Sequence, residues 1–370
     1  MFLKSAWYVA GWTSEFEAGR LYARRIIDEP LVVMRREDGT LVALEDRCPH
    51  RWAPLSLGRI ESDTIRCMYH GIRVATNGRC VEVPGQTSTP GSLKARTCPV
   101  VERYQWAWIW MGDPEKADTS LIPDCSLLDR DDVYTHRGEL NYAANYKLIN
   151  DNLLDLSHVA FVHEKTIGRK VKADDEPNVV TGAGAQPLPR GVSNNNWSIG
   201  RNAMQAPDAP VTDQWMWFSY LVPGIFINHF RSYPAGTAER LNFAEPSKEL
   251  ECISDTFSCQ AVTPLSERST RYIYSGGHRK TDMSPEAAAF IFGMVDEAFR
   301  EDTAMIEAQQ RMIDSGPPGT MGWIQADRGL SLFRKVLDRL SAEEREAYAP
   351  EQAVPACAQV RDEAIASCSR

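Results

Sequence analysis

The chain has 370 residues, 43% of them hydrophobic and 25% charged, with a formal net charge of −9. That composition describes a folded globular protein with more than one small core, and an acidic balance without a Lys/Arg run argues against nucleic acid as a partner. No stretch reaches the ~18 apolar residues of a membrane span, and residues 1–12 lack the pattern of a secretory signal.

In chain order, the first ~112 residues read as strands and hairpins. Residues 31–34 and 41–44 flank Asp38-Gly39, and residues 72–74 and 80–83 flank Asn77-Gly78. Both dipeptides favour tight hairpin turns. Trp106, Trp108 and Trp110 alternate with Ala107 and Ile109, so this strand is apolar on both faces and predicted to be buried. An all-β domain with loops at its tip is the simplest assembly.

Within that domain lie Cys48-Pro49-His50 and Cys67-Met68-Tyr69-His70, with sixteen residues between them. Pro49 and Pro54 stiffen the first loop, and Gly71 follows the second, where a residue without a side chain lets backbone pass close by. Two thiolates and two imidazoles suit a [2Fe–2S] centre with one iron held by sulfur and the other by nitrogen. The same donors would complete a tetrahedral zinc site. Zinc modules, however, usually pair Cys with Cys and His with His, whereas each loop here supplies one of each. The other cysteines (Cys80, Cys98, Cys125, Cys252, Cys259, Cys357 and Cys368) have no framework spacing and are expected to be free thiols in a reducing cytoplasm.

Residues 116–140 lack clear periodicity and are predicted to link a domain of residues 1–115 to one of residues 141–345. Residues 171–210 are rich in Gly, Asn, Pro and Ala and read as mobile loops. Strand patterns return at 215–220, 225–230, 252–262 and 271–275. A long helix follows, with Ser284 as N-cap, Pro285 in its first turn and Gly316 at its end. Residues 346–370 read as a poorly ordered tail.

Asn152, Asp155 and His158 fall at three-residue spacing, which puts them on one face if the segment is helical. His163 lies five residues beyond His158, ~140° further round an ideal helix. Both histidines reach one ion only if the helix ends or bulges between them. Two imidazoles alone are a weak metal site. In the later helix, Ile291, Val295, Ala298, Met305, Ile306 and Gln309 define an apolar stripe that contains Asp302. A carboxylate there must be paired, hydrogen-bonded or metal-bound, so an arginine or an ion would serve. Glu301 is expected to be solvated beside Glu297. Two histidines and a carboxylate make the facial triad of non-haem Fe(II) sites.

The Cys48–His50 and Cys67–His70 pattern, with Arg51, Ala53-Pro54-Leu55-Ser56 and Gly71, resembles the Rieske domain of aromatic-ring oxygenases. Ala53 and Tyr69 stand where respiratory-chain Rieske proteins carry two further cysteines. Residues 152–158 followed by His163 are similar to the D-x-x-H-x4-H signature of Rieske non-haem iron oxygenases. Phe299-Arg300-Glu301-Asp302 with Gln309-Gln310 resembles the segment that carries their third iron ligand. The likeness runs from Ala6-Trp7-Tyr8-Val9-Ala10 to about residue 340 and is greatest to the vanillate O-demethylase and dicamba monooxygenase group.

That resemblance implies an α+β chain, an N-terminal all-β Rieske [2Fe–2S] domain followed by a helix-grip catalytic domain with an antiparallel sheet and a long C-terminal helix. It implies that Cys48, His50, Cys67 and His70 hold the cluster, and that His158, His163 and Asp302 hold a mononuclear Fe(II). Asp155 would bridge His158 to a Rieske histidine of the neighbouring subunit in a head-to-tail homotrimer, and Asn152 would sit near the iron. The implied activity is that of a terminal oxygenase using O2 to monooxygenate a small aromatic substrate, by O-demethylation or methyl hydroxylation of an aromatic acid. Aromatic-ring hydroxylation by the same centres and a Rieske electron carrier without catalysis are the alternatives. The chain has no flavin or nicotinamide motif, so NAD(P)H acts only through a separate reductase or ferredoxin. An acidic partner of that kind would meet Arg47, Arg51, Arg59 and Arg73. Asn228 roughly aligns with a substrate-binding asparagine of the dicamba-type enzymes, and Gln260 stands where that group has a polar histidine. His136, His229 and His278 lack ligand spacing and are expected to be structural.

Overall fold

In the computed structural model, which describes residues 2–168, 179–180, 185–202, 211–317, 319 and 321–347, the tryptophan-rich strand Trp106–Trp110 sits between two cores. Ala107 and Ile109 face one and Trp106, Trp108 and Trp110 the other. The strand pairs with Trp7–Trp12 on one side and Val100–Arg103 on the other. Two further antiparallel sheets complete the N-terminal unit. One runs Leu21–Ile26, Glu29–Arg35, Leu41–Glu45 and Thr97–Cys98, and the other Arg59–Glu61, Thr64–Arg66, Arg73–Ala75 and Cys80–Glu82. Both predicted hairpins form, with Gly39 at φ 86° and Gly78 at φ 82°. This left-handed geometry is what the turns require of glycine.

The second half is built on an antiparallel sheet in the order Val133–Tyr142, Ser269–Arg279, Ser254–Ser266, Ile225–Pro234, Val211–Leu221, Gly191–Asn202 and Val179–Val180. Two expectations change here. Residues 133–140, assigned to the linker, form most of an edge strand whose burial alternates, and Ile122, Cys125 and Leu128 before it are buried against the tryptophans. Residues 186–188 and 191–202, assigned to mobile loops, are strands. The asparagines that disfavour a strand assignment are held there by pairing with Val211–Leu221. The remainder of 171–210 lies outside the described residues, except 179–180, 185 and 189–190.

The helix Pro285–Ser315 begins as predicted, with Ser284 Oγ accepting the Ala287 N–H at 3.2 Å, and ends at Gly316. Its buried positions include Phe292, Ala298, Asp302, Ile306 and Gln310. Met305 is 57% exposed and Gln309 is exposed, so the stripe is rotated from the predicted one. Phe299 meets Tyr272 and Tyr274 edge-on across the sheet. An unpredicted helix, Arg328–Ala347, packs Leu330, Phe333, Val336 and Leu340 into the core that also holds Tyr8 and Leu31 of the N-terminal unit. Of the predicted tail, residues 348–370 lie outside the described residues. Among the described residues no helix is long and apolar enough to cross a membrane.

Candidate metal centres

One backbone pattern builds both cysteine loops. The Cys48 N–H donates to Ala53 O (2.8 Å) and the Trp52 N–H to Cys48 O (2.9 Å). In the second loop the Cys67 N–H donates to Ile72 O (2.8 Å) and the Gly71 N–H to Cys67 O (3.0 Å). The fifth residue of each loop is left-handed, with φ 58° at Trp52 and 73° at Gly71. Glycine adopts this freely, whereas a tryptophan there costs about 1–2 kcal/mol. Asp46 anchors the first loop by accepting the Ser56 N–H at 2.7 Å and the Ser56 hydroxyl at 2.6 Å.

Cys48 and Cys67 are thereby buried, while His50 and His70 stand exposed with ring centroids 4.8 Å apart. Burial, reinforced by the Cys67 thiol beside it, pushes the Cys48 thiol up to about 11 despite backbone N–H groups that favour the thiolate. A thiolate there requires a metal's positive charge. Two buried sulfurs and two exposed imidazoles are the donor set of a two-iron cluster with one iron held by sulfur and the other by nitrogen. Of the four arginines expected to face a partner, Arg47, Arg59 and Arg73 are paired to Glu45, Glu61 and Glu82, and Arg51 is exposed.

The second centre depends on a broken helix. Tyr146–Leu154 is helical, but Asp155 turns extended (φ −120°, ψ 95°), so Asn152, Asp155 and His158 do not share one helical face. The Asp155 carboxylate accepts the Ser157 N–H at 2.9 Å and starts a short 3-10 turn through His158. The helix Val159–Val162 then ends at His163. This break brings both imidazoles to one point, with centroids 5.3 Å apart.

Asp302, 4% exposed, faces them from the long helix. Its Oδ1 lies 3.5 Å from His158 Nε2 and 3.3 Å from His163 Nε2, and all three donors fall within 4.8 Å. Neighbouring ligands on a metal with ~2.1 Å bonds are separated by ~3 Å, so the set fits an ion with little movement. No arginine pairs with Asp302 among the described residues; Asn152 Nδ2 donates to its Oδ1 at 3.0 Å and lies 3.3 Å from His158 Nε2.

Both imidazoles are oriented by their other nitrogen, as metal ligands commonly are. His158 Nδ1–H donates to Asp155 O at 2.6 Å, and His163 Nδ1–H to Glu301 Oε2 at 3.0 Å. Glu301, expected to be solvated, also accepts the Thr166 hydroxyl at 2.7 Å. Burial pushes its carboxyl up, but those two hydrogen bonds outweigh it and hold it below its ordinary value. Burial likewise pulls His163 down, yet the carboxylates of Asp302 and Glu301 shift it up overall. A divalent cation among them would displace that proton. The extra acidic neighbour after Phe299-Arg300 was the sequence signal for Glu301, but only the break at Asp155 turns His163 toward it.

Asn228 and Gln260 are both buried on the sheet face beneath the helices. Among the described residues, the Asn228 side-chain carbonyl oxygen is buried without a hydrogen-bond partner. Gln260 is engaged at both ends, accepting from the Tyr272 hydroxyl at 2.6 Å and donating to Ser258 Oγ at 2.9 Å. His229 pairs with Asp255, His136 with Asp296, and His278 Nδ1 lies 3.0 Å from the Thr256 hydroxyl. None of the three joins a metal cluster among the described residues.

Residues 6–102 match the Rieske [2Fe-2S] domain model and residues 142–343 the vanillate O-demethylase oxygenase C-terminal domain model. The iron-sulfur subunit of the toluene-4-sulfonate monooxygenase system of Comamonas testosteroni is 36% identical over 95% of this chain and 100% of its own. The vanillate O-demethylase oxygenase subunit of Pseudomonas sp. (strain HR199 / DSM 7063) is 31% identical over 94% and 97%. Dicamba monooxygenase bound to 3,6-dichlorosalicylic acid superposes with a TM-score of 0.77 at 28% identity, covering 93% of this chain and 98% of that one. A further structure of that enzyme contains non-haem iron and dicamba. Two-domain architecture and relatives agree: the chain belongs to the Rieske non-haem iron oxygenases, as an O2-using oxygenase component that takes its electrons from a separate reductase.

Proposed function

We propose that this chain monooxygenates the methyl or methoxy carbon of a small aromatic acid. The observation that carries the reading is the His158–His163–Asp302 set, with His163 and Asp302 buried and His158 half-buried, in a chain that also bears the paired Cys–His loops. Relatives named for toluene-4-sulfonate and for vanillate O-demethylation support the substrate class, since both compounds are aromatic anions with a one-carbon substituent. Overall, one oxygen atom enters a C–H bond and the other leaves as water, using two electrons and two protons. A methoxy group hydroxylated in this way collapses to a phenol and formaldehyde.

In this reading His158, His163 and Asp302 hold the iron, and Cys48, His50, Cys67 and His70 hold the cluster. When bound, the iron supplies one-electron chemistry toward O2 and the cluster supplies the electrons. The chain's own residues fix the geometry. Asp155 O and Glu301 orient the two imidazoles, Asn152 places an amide between His158 and Asp302, and Asn228 offers a polar contact to substrate, with Gln260 behind it.

Apart from the Ser157 N–H, the Asp155 carboxylate has no hydrogen-bond partner among the described residues of one chain, which suits a bridge to a Rieske histidine of a neighbouring copy. Exposed apolar side chains flank both ends of such a bridge. Trp52, Met68 and Tyr69 (73%, 56% and 66% exposed) surround His50 and His70, and Phe161 and Met305 (76% and 57%) lie beside the iron set. A head-to-tail ring of three would cover both patches. The described cysteines are all free thiols, which supports a reducing cytoplasm. The reading is tested by turnover of methyl- and methoxy-substituted aryl carboxylates and sulfonates with a surrogate reductase. Formaldehyde or hydroxymethyl products are expected. Ring diols would instead favour ring hydroxylation, and reduction without any oxygenated product would favour an electron carrier.

A further inference from the structure

A cavity of about 280 Å3 lies between the end of the helix Tyr146–Leu154, the strand Gly191–Asn202 and the start of the helix Arg328–Ala347. Its size is close to the lower end of the ~300–1,000 Å3 range of small-ligand sites. Leu154, Val192 and Phe218 give it a buried apolar floor. Phe218 is the direct cross-strand neighbour of Asn228. Leu154 ends the helix that carries Asn152, whose amide touches His158 and Asp302. The apolar floor therefore leads toward the iron set.

The outer wall is different. Among the described residues Arg328 is the only charged side chain lining the cavity, and it is exposed. Nearby along the chain, Asp327 accepts the Ile324 N–H at 2.8 Å, and Asp151 pairs with Arg334 at 2.6 Å. Arg328 and Gly329 open a 20-residue helix that continues the 3-10 turn Gln325–Asp327, with the Arg328 N–H donating to Gln325 O, so the positive end of the helical segment lies near this wall. A Cβ on Gly329 would stand 3.3 Å from Leu154 O, so glycine lets this helix start close to the iron-bearing segment. Asn194 lines the opposite wall, and among the described residues its side-chain carbonyl oxygen has no hydrogen-bond partner.

We propose that Arg328, backed by the N-terminus of its helix, binds the carboxylate or sulfonate of the aromatic substrate while the ring lies on Phe218 and Val192. A guanidinium matches such a planar or trigonal oxyanion through two parallel hydrogen bonds. The anion is thereby held at the outer wall, and the opposite substituent points inward. This inference rests on the proposed reaction, and it is specific about which residue selects an acid.

The test uses the cluster- and iron-loaded protein, with toluene-4-sulfonate and its neutral counterpart 4-methylphenyl methyl sulfone as calorimetric probes. Arg328→Met should weaken sulfonate binding about 10- to 100-fold and change sulfone binding by no more than ~3-fold. Arg328→Lys should recover part of the loss. Cluster absorbance and iron content serve as the folding control, and if the Met variant fails that control, the Lys variant and a Gln variant carry the comparison. Equal losses for both probes, an unchanged sulfonate affinity, or a wild-type protein that binds the two alike would each overturn the role of Arg328. Wild-type turnover with the surrogate reductase is read separately, so a failed reaction and a failed anion site are told apart.

Discussion

His158 and His163 are oriented by groups of different kinds. His158 donates to a main-chain carbonyl, which no side-chain substitution removes, whereas His163 donates to the Glu301 carboxylate. Glu301→Gln should therefore leave the fold intact and weaken iron retention about 10- to 100-fold, measured by iron content against increasing chelator. Full retention would show that the backbone alone orients His163. Asp155→Asn should keep all metal bound yet slow electron transfer from the reduced cluster by about 10-fold or more, the scale of one lost charge-assisted hydrogen bond. Stopped-flow absorbance of the cluster reads this directly, and an unchanged rate at full metal content would remove the bridging role. The spacing of Asp155 to His158 suggested one helical face, but the helix ends at Leu154 and Asp155 is extended, so its bridging role rests on the resemblance and the test above. Glu301 was not legible, because its partners His163 and Thr166 lie 138 and 135 residues away and no helical periodicity reports them.

At the scale of elements, the long helix was readable because its signals are local: Ser284 caps it, Pro285 opens it and Gly316 ends it. The strand Gly191–Asn202 was hidden because three successive asparagines disfavour a strand, and only pairing with Val211–Leu221 decides the matter. The edge strand Val133–Tyr142 was hidden for a similar reason, since its inward positions include His136 and Gly138 rather than an unbroken apolar set. A charge cluster fixes two central strands near one end. Asp255 accepts from Arg130 at 2.7 Å, His229 at 2.9 Å and Arg231 at 2.9 Å. Burial pushes its carboxyl up, but His229 and Arg130 outweigh burial and hold it well below the usual carboxylate range. Because the folded value lies below the unfolded one of ~3.9, its stabilisation is complete above that pH and fades as pH falls further. Asp255→Asn should cost about 3 kcal/mol near neutrality, with a gap to wild type that narrows below about pH 4 in melting experiments. A gap that stays constant with pH would contradict the assignment.

Across the whole molecule, one hydrophobic core runs from Tyr8 and Leu31 through Tyr272 to Phe333, so the Rieske and catalytic halves are packed together rather than loosely tethered. Within one chain His50 and His70 are exposed at a tip flanked by Trp52, Met68 and Tyr69, while His163 and Asp302 are buried and His158 half-buried beside the long helix. A copy seated on that tip would join the two centres, which is why the assembly and the Asp155 bridge stand or fall together. The central claim is that both centres serve a single-atom oxygenation of a side-chain carbon. It is tested most directly by turnover under 18O2 with a surrogate reductase, using a methyl-substituted aryl sulfonate and mass spectrometry of the product. The account predicts a hydroxymethyl product carrying one labelled atom. A ring diol carrying two labelled atoms, or a product whose oxygen comes from water, would contradict it.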